Sequence, residues 1–210
     1  MERKIAEDLL KIKAVFLRPE EPFTWASGIK SPIYCDNRLT LSDVEVRNDV
    51  ENAIAEIIKK YYPETEMVIG TSTAGIAHAA IVATILNLPM GYVRGSNKDH
   101  GRNNKIEGKV EPGTKCVVVG DLISTAKSAI EVCETLREVG AEVLGIASIF
   151  TYGMTKSSDK LAEHNIVNYS ASNYDTLIDV AIECGYIKAE QKEALLAFRN
   201  NPDDESWINK

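Results

Sequence analysis

The chain has 210 residues, 44% of them hydrophobic and 26% charged, which suits one sizeable α/β domain with its own core. A formal net charge of −7 leaves no basic excess to neutralise the phosphates of a nucleic acid or an anionic membrane, so neither partner is expected. No apolar run approaches the ~20 residues of a membrane span, and four scattered cysteines (Cys35, Cys116, Cys133, Cys184) fit reduced thiols better than disulfides or a zinc site.

The opening MERKIAEDLLKIKAVF reads as an amphipathic helix without the apolar core or cleavage site of a secretory signal, so a cytoplasmic location is expected. Pro19, Pro22 and TWASGIKSP make an irregular segment, followed by an extended piece around IYCDNR. Apolar spacing predicts a helix from Val44 to Tyr61, ended by Pro63. A repeating theme follows. MVIG (67–70) is a strand that leads into a small-residue turn and a helix, TSTAGIAHAAIVATIL. GYVR (91–94) is a strand running into a polar loop, Lys115 to Val119 is a strand running into DLISTAKS and a helix, and Glu142 to Phe150 is another strand. Strands alternating with helices predict a parallel sheet flanked by helices. The stretch from Gly95 to Gly108 is polar and has no helical pattern. It reads as a surface loop or as a lid over a site. In the acidic tail, Trp207 is a candidate anchor, and His164 reads as a surface residue.

CVVVGDLISTAKS carries the most chemistry. Apolar residues buried on both faces deliver Asp121 to the carboxyl end of a parallel strand, where open α/β sheets bind ligands. Ser124, Thr125, Ala126, Lys127 and Ser128 then open a helix with small and hydroxyl side chains. Such a turn can point backbone N–H groups, hydroxyls and the helix dipole at one phosphate. Taken singly, Ser124 and Thr125 read as helix caps and Asp121 as a turn support. Walker A and GxGxxG patterns are absent.

VVVGDLISTAKS resembles the PRPP-binding signature of type I phosphoribosyltransferases, PRPP being phosphoribosyl pyrophosphate. The resemblance implies that Asp121 serves the ribose hydroxyls and that Leu122, Ile123 and Ser124 to Ser128 wrap the 5-phosphate. Gly120 stands where the family usually has the first of two acidic residues, and Ala126 where it usually has glycine. A missing carboxylate removes a charge-assisted hydrogen bond of about 1.5–3 kcal/mol. Alanine in a left-handed position costs about 1–3 kcal/mol.

YVRGSNKDHGRNNKIEG gathers Arg94, Lys98, His100, Arg102 and Lys105 in an otherwise acidic chain. A closing loop that binds diphosphate needs such cations. The segment resembles the catalytic loop of orotate phosphoribosyltransferases, with Arg94, Lys98, His100 and Gly101 matching, and with Gly95 and Ser96 where a further lysine is usual. FTWASGIKSPIYCDNR (23–38) resembles that family's base-recognition segment through Ser27, Gly28, Ser31, Pro32 and Asp36. This implies that orotate is read near Tyr34 and Cys35 and by the Ser124 hydroxyl. A family lysine appears as Ala26, which makes Lys30 the candidate substitute, and an arginine used on the orotate carboxylate in some branches appears as Tyr152. GTSTAGIAHAA matches the family's pyrophosphate turn, implying contacts from the amides of Thr71, Ser72 and Thr73. His78 within it reads as packed or capping.

The resemblance runs from about Ile5 to Trp207. It implies a single phosphoribosyltransferase domain over 1–210: an N-terminal helix and base-recognition hood (1–40), a PRPP-binding core (64–152) and a mobile lid (95–108). It further implies transfer of ribose 5-phosphate from PRPP to orotate in pyrimidine biosynthesis. Mg²⁺ would be held mainly by substrate and water rather than by protein ligands. Arg94, Lys98 and His100 would stand on the leaving pyrophosphate, in a homodimer whose lids serve the neighbouring subunit. The departures at Gly120, Ala126 and Ser96 leave a second expectation, a catalytically weakened paralogue that binds PRPP or nucleotides.

Overall fold

The structure, a computed structural model, describes residues 1–25, 28–95 and 105–209. In chain order these form α1 (Glu2–Lys11), β1 (Val15–Leu17), β2 (Phe23–Thr24), β3 (Lys30–Ser31), β4 (Ile33–Cys35) and a 3-10 turn (Asn37–Ser42). Then come α2 (Val44–Tyr61), β5 (Met67–Thr71), α3 (Gly75–Leu86), β6 (Met90–Val93) and β7 (Ile106–Glu107). The chain continues through β8 (Lys115–Ile123), α4 (Lys127–Glu138), β9 (Glu142–Thr151), α5 (Thr155–Glu163), β10 (Asn168–Asn173), α6 (Tyr174–Glu183) and α7 (Lys192–Asn200).

Among the described residues the main sheet has six strands in the order β10-β9-β8-β5-β6-β7. All its pairings are parallel except that of β6 with β7. The β6–β7 pair gives the end of segment 95–108 regular structure. Ile106 and Glu107 pair with Val93 and Tyr92, and the Arg94 N–H donates to the Lys105 carbonyl at 2.8 Å.

Strand β8 shows why this stretch becomes a central strand. Val117 and Val119 face one apolar cluster while Cys116 and Val118 face another, and all four are 0% exposed. Alternate residues of a strand point to opposite faces, so a continuous apolar run is what a sheet covered on both sides requires. Burying each such valine stabilises the fold by about 1.5–3 kcal/mol. On the first face pack α1, α2, α3, α6 and α7; on the second pack α4 and, through Leu161, α5. Helix α1 lays Ile5, Ala6, Leu9 and Leu10 into the first cluster. Trp207 is buried edge-on against Phe198 and pins the tail to α7. No described helix is long and apolar enough to cross a membrane.

The N-terminal segment forms two small antiparallel pairs, β1 with β4 and β2 with β3. Trp25 fastens this hood to the sheet by stacking on Tyr152, ring centroids 5.7 Å apart, with Phe198 edge-on at 5.8 Å.

Candidate active site

The order of strands reverses between β5 and β8: the chain goes outward one way through β6 and β7, and the other way through β9 and β10. At such a switch point two loops diverge from adjacent strand ends and leave a crevice between them. The register, Gly70 opposite Val119, brings Thr71 and Gly120 side by side at that mouth. Helix α3 begins in direct contact with it. A Cβ on Gly75 would lie 2.5 Å from both Thr71 Oγ1 and the Val119 carbonyl, so only glycine lets the helix start there.

Neither helix that opens from this mouth has a side-chain cap. Helix α3 is preceded by Ala74 and α4 by Ala126, without a capping hydrogen bond at either. By contrast, Asp43 caps α2 on the Val46 N–H at 3.0 Å, and Asn173 caps α6 on the Thr176 N–H at 2.9 Å. The cap reading of Ser124 and Thr125 is therefore overturned. Among the described residues no side chain caps the first turn of α3 or α4, the arrangement that binds anions.

Strand β8 runs further than its apolar core suggested. Leu122 pairs with Phe150 and Ile123 with Thr151, and the Ile123 side chain is buried in the core. Asp121 sits partly buried on the face toward α3. Burial pushes its carboxyl above the ordinary range, opposed by its own and the Leu122 N–H and by the Arg38 guanidinium. Its carbonyl accepts from Asn37 Nδ2 at 2.6 Å, and Asn37 Oδ1 accepts from the Cys35 thiol at 3.2 Å. Asn37, 1% exposed, thus ties the hood to the end of β8; the sequence reading missed it. Burial, with Asp121 and Asp36 nearby, pushes the Cys35 thiol well up, so it stays a neutral donor.

The remaining predicted residues divide. A cleft of about 580 Å³ gathers Thr71, Ser72, Arg94, Gly95, Lys105 and Ser128, then continues along α4 past Glu131 to His164. Arg94 is half-exposed and ion-paired to Glu107 at 3.3 Å. Thr73 follows Ser72 in the β5–α3 turn, and the Ser72 hydroxyl is held by the Val93 carbonyl. Ser124 and Thr125 face a second cleft of about 180 Å³, bounded by Trp25, Lys156, Lys160 and Arg199. Tyr34 is exposed, its ring tilted against Phe23 at 5.6 Å. Lys30 is tied by its ammonium to the Thr24 hydroxyl at 2.7 Å within the β2–β3 pair. Lys127 is exposed at the start of α4. Lys98, His100, Arg102 and Ser96 lie outside the described residues, as do Ala26 and Ser27. His78 is fully buried against Glu51, Nδ1 to Oε1 2.5 Å.

A family model of the phosphoribosyl transferase domain matches residues 43–183. The orotate phosphoribosyltransferase of Bacillus subtilis (strain 168) is 54% identical over 206 residues, covering 98% of this chain and 95% of that one. The chain belongs to the orotate phosphoribosyltransferase family. Among solved structures, the orotate phosphoribosyltransferase of Aeropyrum pernix superposes with a TM-score of 0.76 at 30% identity, covering 87% of this chain and 99% of that one. Leishmania donovani UMP synthase superposes with a TM-score of 0.80, covering 94% of this chain and 42% of that one; at 23% identity it bears on the fold alone.

Within the family pattern, the departure at Ala126 has a direct structural reading. Its backbone is left-handed, φ 61° and ψ −2°, and its side chain is buried. Relief of the Cβ strain by Ala126→Gly outweighs the extra unfolded-state entropy of glycine, for a net gain of about 1 kcal/mol. Thermal melting should show a Tm higher by about 2–4 °C. An unchanged or lower Tm would mean that the αL position is not strained. At Gly120 a Cβ would meet Thr71 atoms no closer than 3.7 Å, so a side chain can begin there without a clash.

Proposed function

We propose that this protein transfers the 5-phosphoribosyl group of PRPP to orotate, giving orotidine 5'-phosphate and pyrophosphate in pyrimidine biosynthesis. The observation that carries this reading is the pair of uncapped helix N-termini, α3 and α4, flanking Asp121 at the sheet's switch point. A molecule with a phosphate at one end, a diphosphate at the other and ribose hydroxyls between them suits that set of groups. In this reading Gly120 to Ser128 cradle the 5-phosphate, Asp121 accepts from the ribose hydroxyls, and the amides of Thr71, Ser72 and Thr73 meet the pyrophosphate. Orotate lies under the hood, read by main-chain groups at Tyr34 and Cys35 and by the Ser124 hydroxyl, with Lys30 the nearby ammonium.

Breaking the C1–oxygen bond leaves positive charge on the ribose ring and negative charge on the departing diphosphate, as in glycoside cleavage. The protein therefore needs cations on the leaving group more than it needs a strong base. Arg94, Lys98 and His100 fill that role, His100 also protonating the pyrophosphate. Orotate nitrogen then bonds to C1 inside a site shielded from water, which would otherwise consume PRPP.

Magnesium fits this site through the substrate. Among the described residues no three acid, histidine or cysteine side chains gather as a metal cluster. When bound, such a hard cation would be held by phosphate and water oxygens and would supply charge neutralisation on the diphosphate. The protein works in the cytoplasm as a homodimer, with segment 95–108 of one subunit acting over the site of the other. Mixing the protein with orotate, PRPP and Mg²⁺ should consume orotate and release pyrophosphate in equal amounts, and chelation of the metal should stop both. PRPP binding without orotate loss would favour the weakened paralogue.

A further inference from the structure

Strand β8 outruns one of its neighbours. Its pairing with β5 ends at Val119 opposite Gly70, while its pairing with β9 continues at Gly120, Leu122 and Ile123. Asp121 therefore lies on a strand end that has a partner on one side only. A main-chain carbonyl needs another donor where the ladder stops. Asn37 supplies it: its Nδ2 donates to the Asp121 carbonyl at 2.6 Å.

Asn37 is itself held from several directions. It is 1% exposed and begins the 3-10 turn that follows β4. Asp36 caps that turn on the Arg38 N–H at 3.2 Å, and the Thr40 hydroxyl donates to the Asn37 carbonyl at 2.6 Å. Asn37 Oδ1 accepts from the Cys35 thiol at 3.2 Å. The two ends of one planar amide thus touch two residues with different tasks. Cys35 belongs to the strand proposed to read the base, and Asp121 carries the carboxylate proposed to hold the sugar.

We propose that Asn37 is a positioning residue that couples the two substrate subsites. Through the carbonyl it fixes the backbone from which the Asp121 carboxylate is aimed at the ribose. Through the thiol it fixes the strand that meets orotate. Because the amide is planar and buried, a shift at either contact moves the other, so filling one subsite preorganises its neighbour. This rests on the reading that Asp121 holds the ribose hydroxyls and that the main chain at Cys35 reads orotate. Asn37 acts through those two residues, and its removal leaves each subsite built but unlinked.

Orotate and ribose 5-phosphate are a pair that cannot react, because this sugar phosphate has no diphosphate to lose. Calorimetry gives the affinity of each alone and in the presence of the other. The comparison is between the parent and Asn37→Leu, which keeps the branched outline of the side chain but neither hydrogen bond. In the parent, each ligand should tighten the other by about fivefold, with equal factors because such coupling is reciprocal. In Asn37→Leu the factor should fall below about twofold. There kcat/KM for PRPP should also drop by about fivefold or more, the effect of leaving a part-buried carbonyl without its donor.

A side chain that merely packs would lower Tm and leave the coupling factor as in the parent. That result, or a parent in which neither ligand affects the other, overturns the proposal. Should Asn37→Leu fail to fold, Asn37→Ala decides on the same factor. If Asp121→Asn leaves ribose 5-phosphate affinity unchanged, or orotate binds neither with nor without the sugar phosphate, the reading of the subsites fails and the proposal with it. If both ligands bind as that reading requires and the coupling survives in the Asn37 variant, only the positioning role fails.

Discussion

Asp121→Asn is expected to lower kcat/KM for PRPP by about tenfold or more, with little effect on stability. The reason lies at the end of β8, where Gly120 leaves Asp121 as the acidic side chain of the signature and Thr71 and Gly75 crowd the neighbouring strand end. Asparagine keeps the shape but not the charge, so the loss is that of a charge-assisted hydrogen bond to a ribose hydroxyl, about 1.5 kcal/mol or more. Burial already opposes charge at this position, so neutralising it is not expected to destabilise the fold. Saturation with PRPP at fixed orotate, beside a melting curve, separates the two effects. A folded variant within about twofold of the parent would remove Asp121 from the ribose.

The second large effect is one of recovery. Lys98→Ala is expected to lose most activity if that lysine meets the leaving diphosphate. A Lys98→Ala dimer and an Asp121→Asn dimer are then both weak, each for a different half of the site. If the cationic segment serves the neighbouring subunit, mixing them and allowing exchange makes about half the dimers mixed, each with one intact composite site. Activity should then rise toward about a quarter of the parent's. No recovery, with exchange verified by a tagged subunit, would mean that Lys98 serves its own subunit.

Legibility in the sequence followed the range over which each feature is encoded. Helix α2 runs over Val44–Tyr61 as its periodicity predicted, because an amphipathic stripe and a following proline are local signals. The strand, turn and helix start from Asp121 to Ser128 were readable for the same reason, because they lie in one contiguous run. Strand β10 was not. In NYSASN only Tyr169 and Ala171 alternate with polar residues, too few for a clear strand signal, and the polar side chains are satisfied across the sheet. Ser148 Oγ meets Ser170 Oγ at 2.7 Å and donates to Asn168 Oδ1 at 3.0 Å.

Asn37 escaped for a similar reason. Its partners are Cys35 and the carbonyl of Asp121, and the second of these contacts exists only once the hood has folded onto β8. Glu51 looks like any polar residue of an amphipathic helix until α2 and α3 pack and bury it against His78. Ala126 was suspect from the family pattern, but only the backbone angles establish that the position is left-handed.

In the proposed reaction the crevice between the ends of β5 and β8, under the hood, takes PRPP and orotate together. The most direct measurement is pyrophosphate release from PRPP and Mg²⁺ with orotate, uracil or hypoxanthine supplied in turn. A hood that reads a pyrimidine carrying a carboxylate predicts release with orotate and rates lower by about a hundredfold or more with the other two, since a polar site rejects a ligand that leaves its groups unpaired. Release that is equal with uracil or hypoxanthine, or absent with all three while PRPP still binds, would contradict the account.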